Sequence, residues 1–268
     1  MNKNRGILLA KTVQKAFVVL EYLAFSKQPI KVKNIAEACN LSRPTAYRLV
    51  ATLQHCGYVN NSVNGAYSLS TKILKLSRMV LDNLDLRVLA KPILRNLRSI
   101  TGETSILAIQ EGKEIFYIGN FESTNSVSMN SRVGTNDPLH NTAPGKVILA
   151  FLPEEVRSCI LEHLDLKKFT ENTITNHSDF LIELKKIRKL GFAIEDRENN
   201  EDIRCISSPI FDHMGKVIGA LGTSGPAYRF DLQKMNEIAP MVVRAAKNLS
   251  RLLGYSSETG EGNSLNNK

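Results

Sequence analysis

Six residues crowd the start of one short helical pattern in "LSRPTAYRLVATLQHCGYV", residues 41–59: Ser42, Arg43, Pro44, Thr45, Tyr47 and Arg48. Guanidinium, phenol and hydroxyl groups at this spacing make no catalytic set. They are hydrogen-bond donors and a flat ring, suited to phosphate oxygens and base edges. Pro44 falls in the first turn, where its missing N–H does no harm. Ser42 is placed to cap the helix. Arg43, Tyr47 and Arg48 point away from the apolar positions Ala46 and Leu49. They lie at the N-terminal end, the end that enters a major groove and whose dipole favours phosphate. Base recognition is therefore assigned to Arg43, Tyr47 and Arg48, and phosphate contact or capping to Ser42 and Thr45.

Charge points the same way. The net charge of +9 is divided unevenly: residues 1–80 hold 12 Lys/Arg against two acids, Glu21 and Glu37, while the remainder holds 23 basic and 24 acidic residues. The first segment is thus +10 and the rest −1. Such an excess attracts a polyanion. Without acylation signals or a basic amphipathic anchor, that polyanion is nucleic acid rather than a membrane surface. No stretch approaches the roughly 20 apolar residues of a membrane span, and the N-terminus lacks a signal-peptide core, so a cytoplasmic location is expected.

Other chemistries find little footing. Cys39, Cys56, Cys159 and Cys205 form no CxxC pair, which argues against a disulfide framework or a zinc ribbon. His55, His140, His163, His177 and His213 show no metal-ligand spacing. "GTSGP" departs from a nucleophile elbow at its last position, and neither a phosphate-binding loop nor an HExxH helix is present. No metal, cofactor or enzymatic activity is expected. The alternative is an enzyme acting on a small carboxylate with an appended DNA-binding domain.

The elements that position the arginines follow from periodicity. In "KTVQKAFVVLEYLAFS", Val13, Ala16, Phe17, Leu20, Leu23 and Ala24 recur at helical steps and predict one buried stripe. "VKNIAEAC" predicts a short helix with Ile35 and Cys39 inward, and Asn40 suits the left-handed conformation of a tight turn. Helix, three-residue turn, helix is the spacing of a helix-turn-helix unit at about 32–51. "GYVNN" and "AYSLS" then alternate around "SVNG" as a hairpin, the wing of a winged helix-turn-helix domain over 10–70.

Residues 71–102 read as two linker helices. They carry more apolar residues (Leu74, Met79, Leu81, Leu84, Leu89, Ile93, Leu97) than an exposed connector should, so part of this surface is expected to meet a second subunit. A homodimer or homotetramer on a pseudo-palindromic duplex operator is expected. From Thr104 the pattern becomes mixed. "TSILAIQEGKEIFYIGNFE" gives two strands and "SVSMNSRVG" a third, "TAPGKVILAFL" a helix capped by Thr142, and "SDFLIELKKIRKLGF" a helix stopped at Gly191. "RCISSPIFDHMGKVIGALGTSG" is a hairpin turning at 213–215, and the helix after Asp231 should kink or break at Pro240. The fold class is α+β, with a second domain over 103–254 and a polar, disordered tail over 255–268.

The blocks "VQKAFVVLEYLA", "IAEACNLSRPTAYRLVATLQHCGYV", "PLHNTAPGKVILAFLP", "IRKLGFAIEDRE", "RCISSPIFDHMGKVIGAL" and "SGP" resemble, in order, the IclR family of bacterial transcription regulators. The resemblance spans nearly all of residues 12–254. It implies a winged helix, a helical linker and a GAF-like effector-binding domain with an antiparallel sheet flanked by helices. The function it implies is a repressor or activator whose operator affinity is set by a small organic acid, in control of a catabolic operon. Carried onto this chain, the implied effector-binding residues are Thr142, Ala143, Glu195, Cys205 and Ser224. The start of the 142–152 helix would take the carboxylate, and Glu195 would accept from an effector hydroxyl. Cys205 reads equally well as a small apolar strand residue. The chain departs from the family pattern at Pro144, which has no N–H to offer, at Glu195 in place of Asp, at Asp202 in place of a common glycine, and at Gly222 in place of a second serine.

Overall fold

The computed structural model describes residues 9–26, 28–62, 64–76, 85–123 and 133–256. The chain divides into two compact units, residues 1–84 and 85–268.

The first unit contains α1 (Lys11–Ala24), β1 (Ile30–Lys31), α2 (Val32–Ala38), α3 (Arg43–His55), β2 (Val59–Asn61) and β3 (Ala66–Leu69). Val19, Leu23, Ile35, Leu49, Val50, Leu53, Val59 and Tyr67 form its core. Between α2 and α3 the chain turns through Asn40, whose φ of 51° is the left-handed conformation asparagine tolerates. The hairpin β2–β3 follows α3 as a wing. A third strand, β1, pairs with the far edge of β3 to give the order β1-β3-β2. Two residues are too few for an alternating pattern, so β1 is invisible to periodicity.

Two sequence expectations need correction in this unit. Helix α1 buries part of the expected stripe, with Leu23 in the core and Ala16 and Leu20 packed against it. Val13 and Phe17, however, are 54% and 59% exposed, Ala24 is exposed, and Val19 is buried in their place. The helix is apolar round much of its circumference, and period alone does not say which of two stripes meets α3. Ser42 stands at the N-cap of α3 with extended backbone, yet its hydroxyl caps no backbone N–H. It bonds Thr45 Oγ1 at 2.8 Å. Pro44 removes one of the two N–H groups that a cap side chain normally serves.

The second unit runs α4 (Leu86–Thr101), β4 (Thr104–Glu111), β5 (Glu114–Phe121), β6 (Asn136–Pro138), α5 (Ala143–Phe151), α6 (Glu154–Glu162), α7 (His177–Leu190), β7 (Ala193–Asp196), β8 (Ile203–Phe211), β9 (Val217–Pro226) and α8 (Leu232–Leu252). Its strands form an antiparallel sheet of order β6-β5-β4-β9-β8-β7. One face carries α5, with α7 packed on it, over a core that includes Ile106, Tyr117, Val147, Phe180, Leu184, Cys205 and Ala220. The other face carries α4 and α8.

Helix α4, counted from sequence with the linker, buries Ala90, Leu94, Leu97 and Thr101, and its Leu94 carbonyl accepts from Ser105 Oγ on β4 at 2.7 Å. Asp85 caps it by accepting from the N–H groups of Arg87 and Val88. Residues 73–76 are helical; the rest of the first linker helix, most of the strand expected in "SVSMNSRVG" and the tail from residue 257 lie outside the described residues. Helix α8 continues through Pro240, so of the expected kink or break the break does not occur. Pro240 is exposed, as is Asn236, whose carbonyl loses its helical partner, so water can serve that carbonyl.

Candidate functional site

On the first unit, α3 buries Ala46, Leu49, Val50 and Leu53, and this fixes the opposite face. Ser42, Arg43, Pro44, Tyr47 and Arg48 are exposed, and Thr45 is half-buried. Tyr47 is 61% exposed, a large ring with no core role. Neither Arg43 nor Arg48 has an ion pair or side-chain hydrogen bond among the described residues. Because Ser42 turns to Thr45, the side-chain cap leaves the first-turn N–H groups of Arg43 and Thr45 to another acceptor. Lys72 behaves differently. Its ammonium donates to the Cys56 carbonyl at 2.7 Å, at the C-terminal end of α3, and lies 4.8 Å from the Tyr58 ring centroid. That charge serves the helix end and is spoken for.

On the second unit, the residues implied by the family pattern gather on the α5 face of the sheet. Glu195 on β7 pairs with Cys205 on β8, Cys205 with Ser224 on β9, and Ser224 with Thr104 on β4. They form one cross-strand row whose side chains share a face. All four are buried. Thr142 is the N-cap of α5: its Oγ1 accepts from Gly145 N–H at 3.2 Å and donates to the Pro138 carbonyl at 2.9 Å. Ala143 is fully buried beside it. The start of α5 presses against the preceding loop so closely that a Cβ on Gly145 would stand 2.2 Å from the Leu139 carbonyl oxygen.

A polar network missed by sequence reading surrounds this row. Lys146 of α5, fully buried, donates to the Ile194 carbonyl at 2.7 Å and to Glu198 Oε1, with Glu183 at 3.7 Å. Glu195 Oε1 accepts from the N–H groups of Glu198 at 2.6 Å and Asn199 at 3.2 Å, closing the turn after β7. Tyr117 OH donates to Asp137 Oδ2 at 3.0 Å, Asn199 Nδ2 to Asp137 Oδ1 at 3.3 Å, and Asn141 Nδ2 to Asn199 Oδ1 at 3.0 Å. Three buried atoms have no partner among the described residues: His140 Nδ1, Asn141 Oδ1 and Glu198 Oε2. His140 Nε2 lies 2.9 Å from the Lys167 carbonyl, which fixes the proton on that nitrogen and leaves Nδ1 an acceptor. All three orphans are therefore acceptors when Glu198 is ionised. One signal was available: lysine in the apolar helix "APGKVILAF" requires a buried partner. Tyr117 and Asn199 carry no comparable mark.

Burial dominates the electrostatics. It pushes the Glu195 carboxyl up to about 8, despite the backbone N–H groups and Lys146 that favour the anion. It also raises the Cys205 thiol and the Asp137 carboxyl and lowers His140. Glu198 is raised by burial against the pull of Lys146. At neutral pH the row therefore presents neutral groups: a protonated carboxyl, a thiol and hydroxyls. A cleft of about 640 Å³ opens beside β7, between α7 and the start of α8, bordered by Ile194, Asp196 and Leu232 and by Glu183 and Glu198 of the polar network. It lacks the row residues, whose chemistry is the better guide to a binding site than cleft size.

A winged helix-turn-helix unit joined to an antiparallel-sheet unit of this kind is the architecture of a DNA-binding transcriptional regulator. Comparison with known proteins is specific. Residues 12–62 match the IclR helix-turn-helix domain, and residues 78–251 match the bacterial transcriptional regulator IclR C-terminal domain. The chain is 34% identical over 245 residues to the transcriptional regulator KdgR of Escherichia coli (strain K12), covering 91% of this chain and 93% of that one. The crystal structure of Thermotoga maritima IclR matches with a TM-score of 0.62 and 36% identity, over 91% of this chain and 99% of that one. The inducer-binding domain of a PobR double mutant from Acinetobacter, solved with 3-hydroxybenzoic acid, matches with a TM-score of 0.58 and 26% identity over 62% of this chain and 98% of that one. The chain belongs to the IclR family of bacterial transcriptional regulators. Among the described residues, no helix is long and apolar enough to cross a membrane, and no group of His, Cys, Asp and Glu is arranged to hold a metal ion.

Proposed function

We propose that α3 and the wing bind a duplex operator, and that a small organic acid bound at the Glu195–Cys205–Ser224 row changes operator affinity. The observation that carries this reading is the row itself. Buried carboxyl, thiol and hydroxyl groups stand side by side at the start of α5, beside acceptors left without partners. Burying such groups is unfavourable unless something bonds them. The PobR domain with its hydroxylated aromatic acid supports an acid as the occupant. Arg43, Tyr47 and Arg48 read bases, while Ser42, Pro44 and Thr45 seat the helix against the backbone.

Glu195 takes a different part from the one its sequence position suggests. One oxygen already accepts two backbone N–H groups, and the carboxyl is protonated at neutral pH. Its remaining capacity is to donate, so it favours an anionic oxygen on the effector. The acid controls a catabolic operon, in the manner the family pattern implies. The protein is at least a dimer, with exposed apolar residues Val88 and Ile100 of α4 in line for a subunit contact. The operator is correspondingly a pseudo-palindrome. Calorimetry with pyruvate, lactate, gluconate and 3-hydroxybenzoate tests the site. At least one acid should bind and lose about tenfold or more in affinity on Glu195→Ala, which removes the donor. Binding that survives both Glu195→Ala and Ser224→Ala unchanged places the site elsewhere.

A further inference from the structure

The start of α5 offers an anion less than a free helix N-terminus would. Thr142 occupies the Gly145 N–H, Lys146 N–H bonds the Thr142 carbonyl, and Pro144 has no N–H at all. Ala143 N–H is what remains of the first turn. A carboxylate held there needs further donors, and the sheet below must supply them.

Ser207 lies two residues beyond Cys205 on β8, hence on the same face, and is fully buried. Its hydroxyl makes one contact among the described residues, 3.8 Å to Cys205 Sγ. A thiol is a weak partner, so the hydroxyl has capacity to spare. Two other hydroxyls at the site have spent their protons: Ser224 Oγ donates to the Arg204 carbonyl at 3.2 Å and Thr142 Oγ1 to the Pro138 carbonyl, while Thr104 Oγ1, on β4 at the end of the row, accepts from the Ser123 N–H. Nor can the neighbouring strand serve this point of the sheet. Gly222 pairs with Ser207, and a Cβ at position 222 would stand 2.2 Å from Ser207 Oγ, 2.2 Å from the Ile206 carbonyl oxygen and 2.9 Å from Ser207 Cα. Two of those three atoms are backbone, so a rotamer change gives no relief. On its other side Ser207 pairs with Ala193, equally small. One hydroxyl stands between two residues too short to cover it.

We propose that Ser207 is an effector-binding residue, its hydroxyl donating to a carboxylate oxygen of the acid beside the Cys205 thiol. The proposal rests on the reading of the Glu195–Cys205–Ser224 row as the effector site. It assigns to β8 a donor that position 222 of β9 cannot carry. The test uses the full-length protein and the tightest binder among pyruvate, lactate, gluconate and 3-hydroxybenzoate. Ser207→Ala should weaken that acid by about 10- to 100-fold, the range for a hydrogen bond to a charged group. The ligand-free melting temperature should stay within about 2 °C, because the lost contact is weak. Glu195→Ala runs in parallel. If Glu195→Ala weakens the acid and Ser207→Ala does not, this inference is overturned and the site reading survives. If no acid of the panel binds, or if Glu195→Ala, Ser224→Ala and Ser207→Ala all leave affinity unchanged, both are overturned. A fall of more than about 4 °C in the ligand-free melting temperature of Ser207→Ala makes Ser207 a structural residue and overturns the inference as well.

Discussion

A carboxyl group taken out of water holds on to its proton, and Glu195, 2% exposed and raised to about 8, does so through neutral pH. The sign of the consequence is fixed. Between the ordinary carboxyl value of 4.5 and about 8 the folded state binds a proton here that the unfolded chain has released, so stability falls as pH rises through this window. One such group changes stability by at most about 1.4 kcal/mol per pH unit. Urea denaturation at pH 5, 7 and 9 should show that the wild type loses more stability across this range than Glu195→Gln; equal losses would reassign the slope to other groups. Effector affinity should fall above about pH 8 in step with Glu195 losing its proton. On the first unit, Arg48 has no ion pair or side-chain hydrogen bond among the described residues, whereas Lys72 is tied to the Cys56 carbonyl. Arg48→Ala should therefore lower operator affinity more than Lys72→Ala does, by about 1–3 kcal/mol if Arg48 reads a base. Equal losses on operator and random duplex would make Arg48 a phosphate contact. The arginines were legible because exposure follows from the apolar face of α3. Glu195 was legible only through the family pattern. Its protonation was not, because burial is a property of the packed fold.

Helix α1 shows how far period carries and where it stops. Its helical character is plain in the sequence, but the stripe that meets the core is shifted: Ala16, Leu20 and Leu23 face it as expected, and Val19 is buried where Val13 and Phe17 are not. Leu23→Ala should destabilise the first unit by about 2–5 kcal/mol, whereas Phe17→Ala should change it by less than about 0.5 kcal/mol. Thermal or urea denaturation checks this, and a large loss at Phe17 would return that residue to the core. Long elements with strong patterns (α3, α5, α7, α8 and the β8–β9 hairpin) could be read directly. The short ones, β1, β6 and β7, were passed over because two to four residues show no period and owe their conformation to the strand beside them. Helix α5 adds a constraint that no pattern displays. With the Leu139 carbonyl 2.2 Å from the place a Cβ would take, Gly145→Ala should cost roughly 2–4 kcal/mol and displace the loop that ends in Thr142. If it folds with wild-type stability and unchanged effector affinity, the close approach of α5 to that loop does not govern the site.

At the scale of the whole molecule, the division of charge was the clearest message in the sequence, +10 before residue 81 and −1 after it. Operator binding should weaken steeply with salt, with a log–log slope near −0.9 for each phosphate neutralised; a slope of zero would remove the basic unit from the interface. Charge alone does not say that an acid at the Glu195 row alters DNA binding. That link requires the acid to favour one of two arrangements of the molecule, typically by about 1–3 kcal/mol, and linkage makes the effect reciprocal. The measurement that tests it most directly is the affinity of the tightest-binding acid, determined by calorimetry with and without saturating operator duplex. The account predicts a change of about 5- to 150-fold, an equal change in operator affinity when the acid is saturating, and loss of both in Glu195→Ala. An acid that binds equally well to free and operator-bound protein would contradict it.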